Sequence, residues 1–466
     1  MKRLEIKTAL HELLTATWVK GTAIEGSFLR NSRYVFSGKL LIILVTFLTA
    51  PILTRIYTPT QYGFFSQFSL YVSNFSMLAA AGYPLALTIS HNQIEFNSLF
   101  ILSVSLTVIS LFIASLISLT VIEYLVPAGF PIPGLFIFLL CTGALIFSLM
   151  YIIPRWNIYR SQFKEGAVIN SSVLISSRLV SIFLGLFSGW QFIGLIVGEI
   201  SGKFIGLCLS IWRKQFPSFE WLRNEFKFKL LYNSAKKFKE YPTYVLPSNY
   251  LSAISNQIPL FFLSIYFEPR FLGFYALALG VINLPCQLIA NSIGPVFIRK
   301  AIYLKENEPM VLSIFTVRMI SVLFKLSVIP FLMLMFFSSV IFGFAFGPEW
   351  KESGTYASLL CTIGVLELIN SSTGSLYQIF HRERYLLKFS GFQFILTIAC
   401  CIPGMVIRDP VILVFGFVTA KAFTSLLFFR QTLQLLKVKP EQLRILQSLM
   451  CGTIAILWLV SKILLN

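Results

Sequence analysis

LIVGEISGKFIGLCLSIW (residues 195–212) and LVFGFVTAKAFTSLLFF (residues 413–429) decide how this chain is read. Each is an apolar run of about the length a helix needs to cross a bilayer. Each also carries a lysine, Lys203 in the first and Lys421 in the second. A charge at membrane depth is costly, and such residues usually face a bundle interior where they do a job. The two correspond: Gly198 and Lys203 precede Gly416 and Lys421 by the same 218 residues. A costly feature placed twice in register predicts a duplicated membrane fold with a cationic lumen.

The rest of the chain agrees. Of 466 residues 56% are hydrophobic and only 12% are charged. Twelve apolar segments read as spanning helices: 34–54, 63–90, 98–124, 134–154, 168–188, 190–212, 244–266, 271–298, 315–343, 354–380, 386–407 and 410–430. A shorter run, 448–465, is a candidate thirteenth. The expected class is an all-α polytopic membrane protein. Its divisions are a cytoplasmic leader (1–32), an N-lobe of spans 1–6 (33–212), a basic linker (213–242), a C-lobe of spans 7–12 (243–430) and a C-terminal segment (431–466). The leader lacks the continuous apolar stretch of a secretory signal. Its Ile6, Leu10, Leu13, Leu14 and Trp18 recur near helical spacing beside Lys2, Arg3 and Lys7, which fits either a helix lying on the inner membrane face or a plain polar leader.

Net charge is +19. The cations fall mainly in alternate connections, such as Arg155/Arg160/Lys164, Arg299/Lys300/Lys305 and Arg382/Arg384/Lys388, while the connections between hold one or none. The segment 91–97 is the cation-poor exception. The positive-inside rule then puts the N-terminus in the cytoplasm, with both halves in the same orientation. Membrane topology accounts for the charge better than nucleic-acid binding does, including in the basic, aromatic-rich linker.

Further echoes support an internal repeat. Ile56-Tyr57, Pro59 and Gly63-Phe64-Phe65 resemble Ile265-Tyr266, Pro269 and Gly273-Phe274-Tyr275, and Phe163-Lys164-Glu165 resembles His381-Arg382-Glu383. Six spans per repeat make the halves parallel, related by an axis along the membrane normal.

The chemistry candidates follow from charge. The cationic lumen is assigned to Lys39, Arg55, Arg178, Lys203, Lys325 and Lys421, with Glu199 and Glu367 as candidate coupling acids. Glu199 lies four residues before Lys203, a favourable helical pairing, whereas Phe417 stands at the matching place before Lys421. Lys421 is therefore expected to be free for an anion. Phosphate or pyrophosphate suits such a lumen, through charge-assisted hydrogen bonds. Asn74, Asn249, Asn256, Asn283 and Asn291 are candidates for contacting sugar hydroxyls, or for holding helices together. The seven cysteines lie in apolar runs and make no metal-ligand spacing with the three histidines. Asp409 is the lone aspartate, and no paired carboxylates or nucleotide-binding loop appears. An enzyme is disfavoured, and no cofactor is expected.

Two blocks carry a family likeness: SGKLLIILVTFLTAPILTRIYTPTQYGFFSQFSLY (37–71) and the stretch from KKFKEYPTYVLPSN through GFYALALG to PVFIRKA (236–301). They resemble the Wzx-type flippases, the O-antigen or lipid-linked oligosaccharide transporters of the multidrug/oligosaccharidyl-lipid/polysaccharide exporter superfamily. The resemblance implies a V-shaped bundle of twelve helices in two lobes. It implies transfer of undecaprenyl-pyrophosphate-linked sugars from the cytoplasmic to the periplasmic leaflet of a bacterial inner membrane by alternating access. It also implies membrane lipids, a polysaccharide polymerase and chain-length machinery as partners. A multidrug exporter of the same superfamily and a membrane polymerase or ligase of lipid-linked sugars are the competing readings. The first would want acids in its lumen, and the second a large outer loop with catalytic residues.

Overall fold

The computed structural model describes residues 24–90, 92–120, 126–160, 162–187, 191–213, 227–380, 382–437 and Gly452. The leader up to residue 23 and the candidate thirteenth span, apart from Gly452, lie outside the described residues. Twelve helices of 20 residues or more carry the fold: α1 (Ile24–Ile56), α2 (Pro59–Leu78), α3 (Gln93–Thr120), α4 (Pro133–Tyr159), α5 (Phe163–Phe187), α6 (Gln191–Trp212), α7 (Leu246–Tyr266), α8 (Pro269–Asn307), α9 (Pro309–Phe346), α10 (Lys351–Thr373), α11 (Glu383–Ile407) and α12 (Pro410–Leu435). No strand occurs among the described residues.

Their starts follow from local chemistry. Pro59, Pro133, Pro269, Pro309 and Pro410 open α2, α4, α8, α9 and α12. Proline is suited there because its missing N–H would be unpaired in the first turn anyway. Thr58 and Gln61 form a reciprocal cap on α2. The Asp409 carboxylate caps α12 by accepting from Val411 N at 2.7 Å and Ile412 N at 3.1 Å.

Among the described residues nine helices are long and apolar enough to cross a membrane. The other three of the twelve, α2, α7 and α10, are less apolar, because their inward faces carry polar groups such as Asn74, Gln257 and Asn370. Phe47, Phe112, Phe187 and Phe344 lie exposed on the outer surface. A face of that kind belongs in lipid.

α1 starts at Ile24 and α8 runs to Asn307, well beyond the spans read at 34–54 and 271–298, and two runs read as continuous spans are interrupted. The second span stops at Leu78, and Ala81 (φ 49°) and Gly82 (φ 78°) turn the chain into a short helix at Tyr83–Ala86. The tenth stops at Thr373, followed by a separate short helix at Ser375–Ile379. The linker also holds a helix, Phe228–Lys237, that packs on α3. Ser234 Oγ lies 2.6 Å from Ser98 Oγ, Lys237 pairs with Glu95, and Phe238 joins an apolar cluster with Phe96 and Trp156.

Helices α1–α6 pack on one another, as do α7–α12, and the main contact between the halves is α2 against α8. At their first turns the backbones nearly touch. A Cβ added at Gly63 would fall 1.9 Å from Pro269 O, and one added at Gly273 would fall 2.0 Å from Pro59 O. Only glycine permits such an approach. Around this reciprocal contact Tyr57, Tyr62 and Leu53 join one apolar cluster with Phe274, Tyr275 and Trp350. Tyr62 and Trp350 meet edge to face, 5.0 Å between ring centres, and Trp350 Nε1 donates to Thr54 O at 2.8 Å. This end of the bundle, where α1 gives way to α2, is shut.

Candidate functional site: a cavity between the halves

Below that closure lies a cavity of about 520 Å³. Its walls come from α1, α2, α4, α5 and α6 on one side and α7 and α8 on the other. The two walls differ in character. The first carries Arg178 and Glu199, with Tyr62, Ser66, Ser69 and Ser73 of α2. The second carries the amides Gln257 and Asn283 among aliphatic side chains.

Arg178 projects from α5, and its Nε is buried without a hydrogen-bond partner. A buried N–H left without a partner is best satisfied by an acceptor that can reach it. One residue earlier Ser177 Oγ donates to Glu199 Oε2 at 3.1 Å. Glu199 Oε1 in turn lies 3.7 Å from Lys203 Nζ. The Lys203 ammonium also sits 4.3 Å from the centre of the Phe147 ring, a favourable cation–π contact. The α6 pair is thus formed as its spacing predicts, and Glu199 is already engaged on both oxygens.

Across the cavity Asn74 Nδ2 donates to Gln257 Oε1, joining α2 to α7. The neighbouring Asn256 faces the other way and accepts from Lys421 Nζ. Lys421 is buried, 7% exposed, and its ammonium stands 3.4 Å from Glu367 Oε2. The expectation that Lys421 is free for an anion is therefore corrected. Its partner is absent from α12 and arrives from α10, with α7 supplying the amide. The corresponding glycines behave alike: a Cβ at Gly198 would fall 2.0 Å from Ser181 Oγ, and one at Gly416 2.0 Å from Cys400 O.

The predicted site residues therefore divide. Arg178, Glu199 and Asn283 line the cavity, with Lys203 and Asn74 held to lining residues. Lys421, Glu367 and Asn256 form a second cluster inside α7, α10 and α12. Lys39, Arg55, Lys325 and Asn249 are exposed and line no part of the cavity. The side chain of Asn291 lies outside what the structure describes. Of the six cations Arg178 lines this cavity and Lys203 is paired with its Glu199. Sequence reasoning missed Ser177, whose hydroxyl orients Glu199, and Trp350, whose indole crosses between the halves. Neither carried a signal, since serine and tryptophan are ordinary in apolar runs.

A model of the polysaccharide biosynthesis protein family matches residues 52–355. No curated protein matches the sequence. Among solved structures the chain is similar to the lipid II flippase MurJ in an inward closed conformation, at 15% identity and TM-score 0.64, covering 93% of this chain and 97% of that one. It is similar to a MATE transporter in complex with MaL6, at 14% identity and TM-score 0.53, covering 89% and 97%. It is also similar to a MOP superfamily transporter from Pyrococcus furiosus, described as having a binding pocket of reverse polarity, at 13% identity and TM-score 0.55, covering 89% and 96%. These likenesses establish the MOP-superfamily transporter fold.

Proposed function

This chain belongs to the polysaccharide biosynthesis protein family, and from that premise we propose that it is a flippase for a polyprenyl-pyrophosphate-linked oligosaccharide, an O-antigen or related surface-polysaccharide unit. The observation that carries this reading is Arg178, with a buried Nε lacking a partner in a cavity of about 520 Å³ between the two halves. A guanidinium there offers a bidentate, fixed-charge partner to phosphate oxygens. Gln257 and Asn283 on the facing wall suit sugar hydroxyls. Lys203 adds positive charge when Glu199 releases it, which makes Glu199 the candidate coupling acid. Glu367 and Lys421 brace the second half.

The motion follows from the packing. The units 33–212 and 243–430 rock about the cavity. The Gly63–Pro269 and Gly273–Pro59 contacts part to open the α1–α2 end, which we take as the periplasmic end because the alternation of loop charges favours that orientation. An inside-negative potential assists outward transfer of an anion by about 2.3 kcal/mol per charge per 100 mV. A multidrug exporter of cations is less well supported, because the acid in the cavity, Glu199, is already taken by Lys203 and Ser177.

Deleting the protein from its host tests the reading. A flippase leaves lipid-linked repeat units accumulated on the cytoplasmic leaflet. Accumulation on the periplasmic leaflet instead would indicate a polymerase or ligase, and unaltered surface polysaccharide would sink the proposal.

A further inference from the structure

Asn74 and Gln257 join the two halves at the edge of the cavity far from the closed α1–α2 end. The cavity-lining residues of α2 run from Tyr62 to Ser73, and those of α7 begin at Gln257. Asn74, the next residue of α2, is buried, and its Nδ2 makes two bonds. One goes to Leu70 O at 2.7 Å and the other to Gln257 Oε1. A backbone carbonyl only accepts, so the first bond fixes which end of the Asn74 amide is the donor. The second bond then fixes Gln257, which must turn its oxygen to Asn74. What Gln257 has left is its NH2 group. Gln257 lines the cavity, and its Nε2 is neither sealed from it nor bonded to any described residue.

We infer that Asn74 is a positioning residue for cargo recognition: pinned by Leu70 O, it holds Gln257 as a hydrogen-bond donor that reads an accepting oxygen of the sugar. This deepens the flippase reading and rests on it. A glutamine free to turn shows either end of its amide and selects little, whereas one turned by a neighbour shows a donor alone. Such a donor gains its bond only when the ligand brings an acceptor, and a ligand group that fails to do so leaves it unpaired. An amide pair between membrane helices often serves as glue. Here the NH2 group that faces the cavity adds recognition to that role. The bond also crosses from α2 to α7, so it holds only while the halves meet at this point. The sugar is therefore read in the closed arrangement, and the hold on it loosens when α2 and α7 part.

The test uses full-length protein in lipid nanodiscs and two phosphate monoesters, glucose 1-phosphate and methyl phosphate, each titrated by calorimetry. The readout is the ratio of their affinities. Wild type is expected to prefer glucose 1-phosphate. Asn74→Leu should reduce that preference about fivefold, as for one lost hydrogen bond, and leave methyl phosphate within about twofold. Asn74→Ser keeps a hydroxyl for Leu70 O but falls short of Gln257. It should act as Asn74→Leu does, and it covers the case in which the leucine variant misfolds. Gln257→Glu still accepts from Asn74 but has no NH2 group, so it should remove the preference while keeping the bond between the helices. Both esters carry the same charge, so the added carboxylate cancels in the ratio. Adding Asn74→Leu to Gln257→Glu should change the ratio no further, because the first acts through the second. A preference kept by a folded Asn74 variant or by Gln257→Glu, equal weakening of both esters by Asn74→Leu, additive effects in the double variant, or no preference in wild type would overturn the role of Asn74 while leaving the flippase reading in place. Wild type binding neither ester, or Arg178→Gln altering the binding of neither, would overturn the phosphate site and this inference with it.

Discussion

Placing a methyl group between the two halves should unlatch them. In Gly63→Ala the new Cβ would sit 1.9 Å from Pro269 O, against the 3.4 Å at which ordinary contact begins. The obstruction is carbonyl backbone in the first turn of α8, so no side chain can swing aside. The helices must part by about 1.5 Å at this point, and a gap of even ~0.5–1 Å forfeits a quarter to a half of the dispersion energy of the atoms involved. Overpacking of this kind costs about 1–3 kcal/mol. Charged to the closed end alone, that shifts the population toward the open form by about 5- to 150-fold, at ~1.4 kcal/mol per factor of ten. Gly273→Ala should act the same way, its Cβ lying 2.0 Å from Pro59 O. Because one separation relieves both clashes, the double variant should shift the equilibrium by less than the sum of the singles. The assay is labelling of a single cysteine at the cavity-lining position Ala276 by an impermeant maleimide applied from the periplasmic side, with the seven native cysteines replaced. Faster labelling in both single variants is expected. Wild-type labelling in a folded Gly63→Ala protein, or strictly additive effects in the double variant, would refute the latch.

Three further outcomes are expected. Glu199→Gln should free Lys203, so that pyrophosphate binds more tightly while turnover falls; binding and transport measured side by side check this. Glu367→Gln should lower thermal stability more than Lys421→Met, because the first leaves an ammonium that is 9% exposed by side chain with the Asn256 amide but without its counter-charge, and the second leaves a carboxylate that is 41% exposed. Losing a buried partner costs about 3–5 kcal/mol at most, discounted here for the exposure of Glu367. Trp350→Phe should remove the bond to Thr54 O, at about 1 kcal/mol, and raise labelling at the same Ala276 reporter.

How much of this was legible in the sequence depended on distance along the chain. The Glu199–Lys203 pair was readable because four residues make one turn of helix. The Glu367–Lys421 pair was not, since no spacing rule joins residues on α10 and α12. Lys39, Arg55 and Lys325 looked much like Arg178, being cations in or beside apolar runs. Their helices are apolar nearly all round, so periodicity does not say which face looks inward, and the structure leaves these three exposed. The span pattern was readable from hydropathy, but the bend at Ala81 and Gly82 was not, because the apolar run continues through it to Ile89. Gly63 and Gly273 were recognisable as echoes of one another. That they touch the other half reciprocally required the packing of α2 on α8.

The most direct test is transport itself. Purified protein is reconstituted into vesicles with a fluorescent polyprenyl-pyrophosphate-linked sugar, and transfer between leaflets is followed by loss of signal to an impermeant quencher. The account predicts leaflet exchange well above that of protein-free vesicles, abolished in Arg178→Gln protein that is folded and incorporated. Exchange no faster than in empty vesicles, or undiminished exchange by the Arg178→Gln protein, would contradict it.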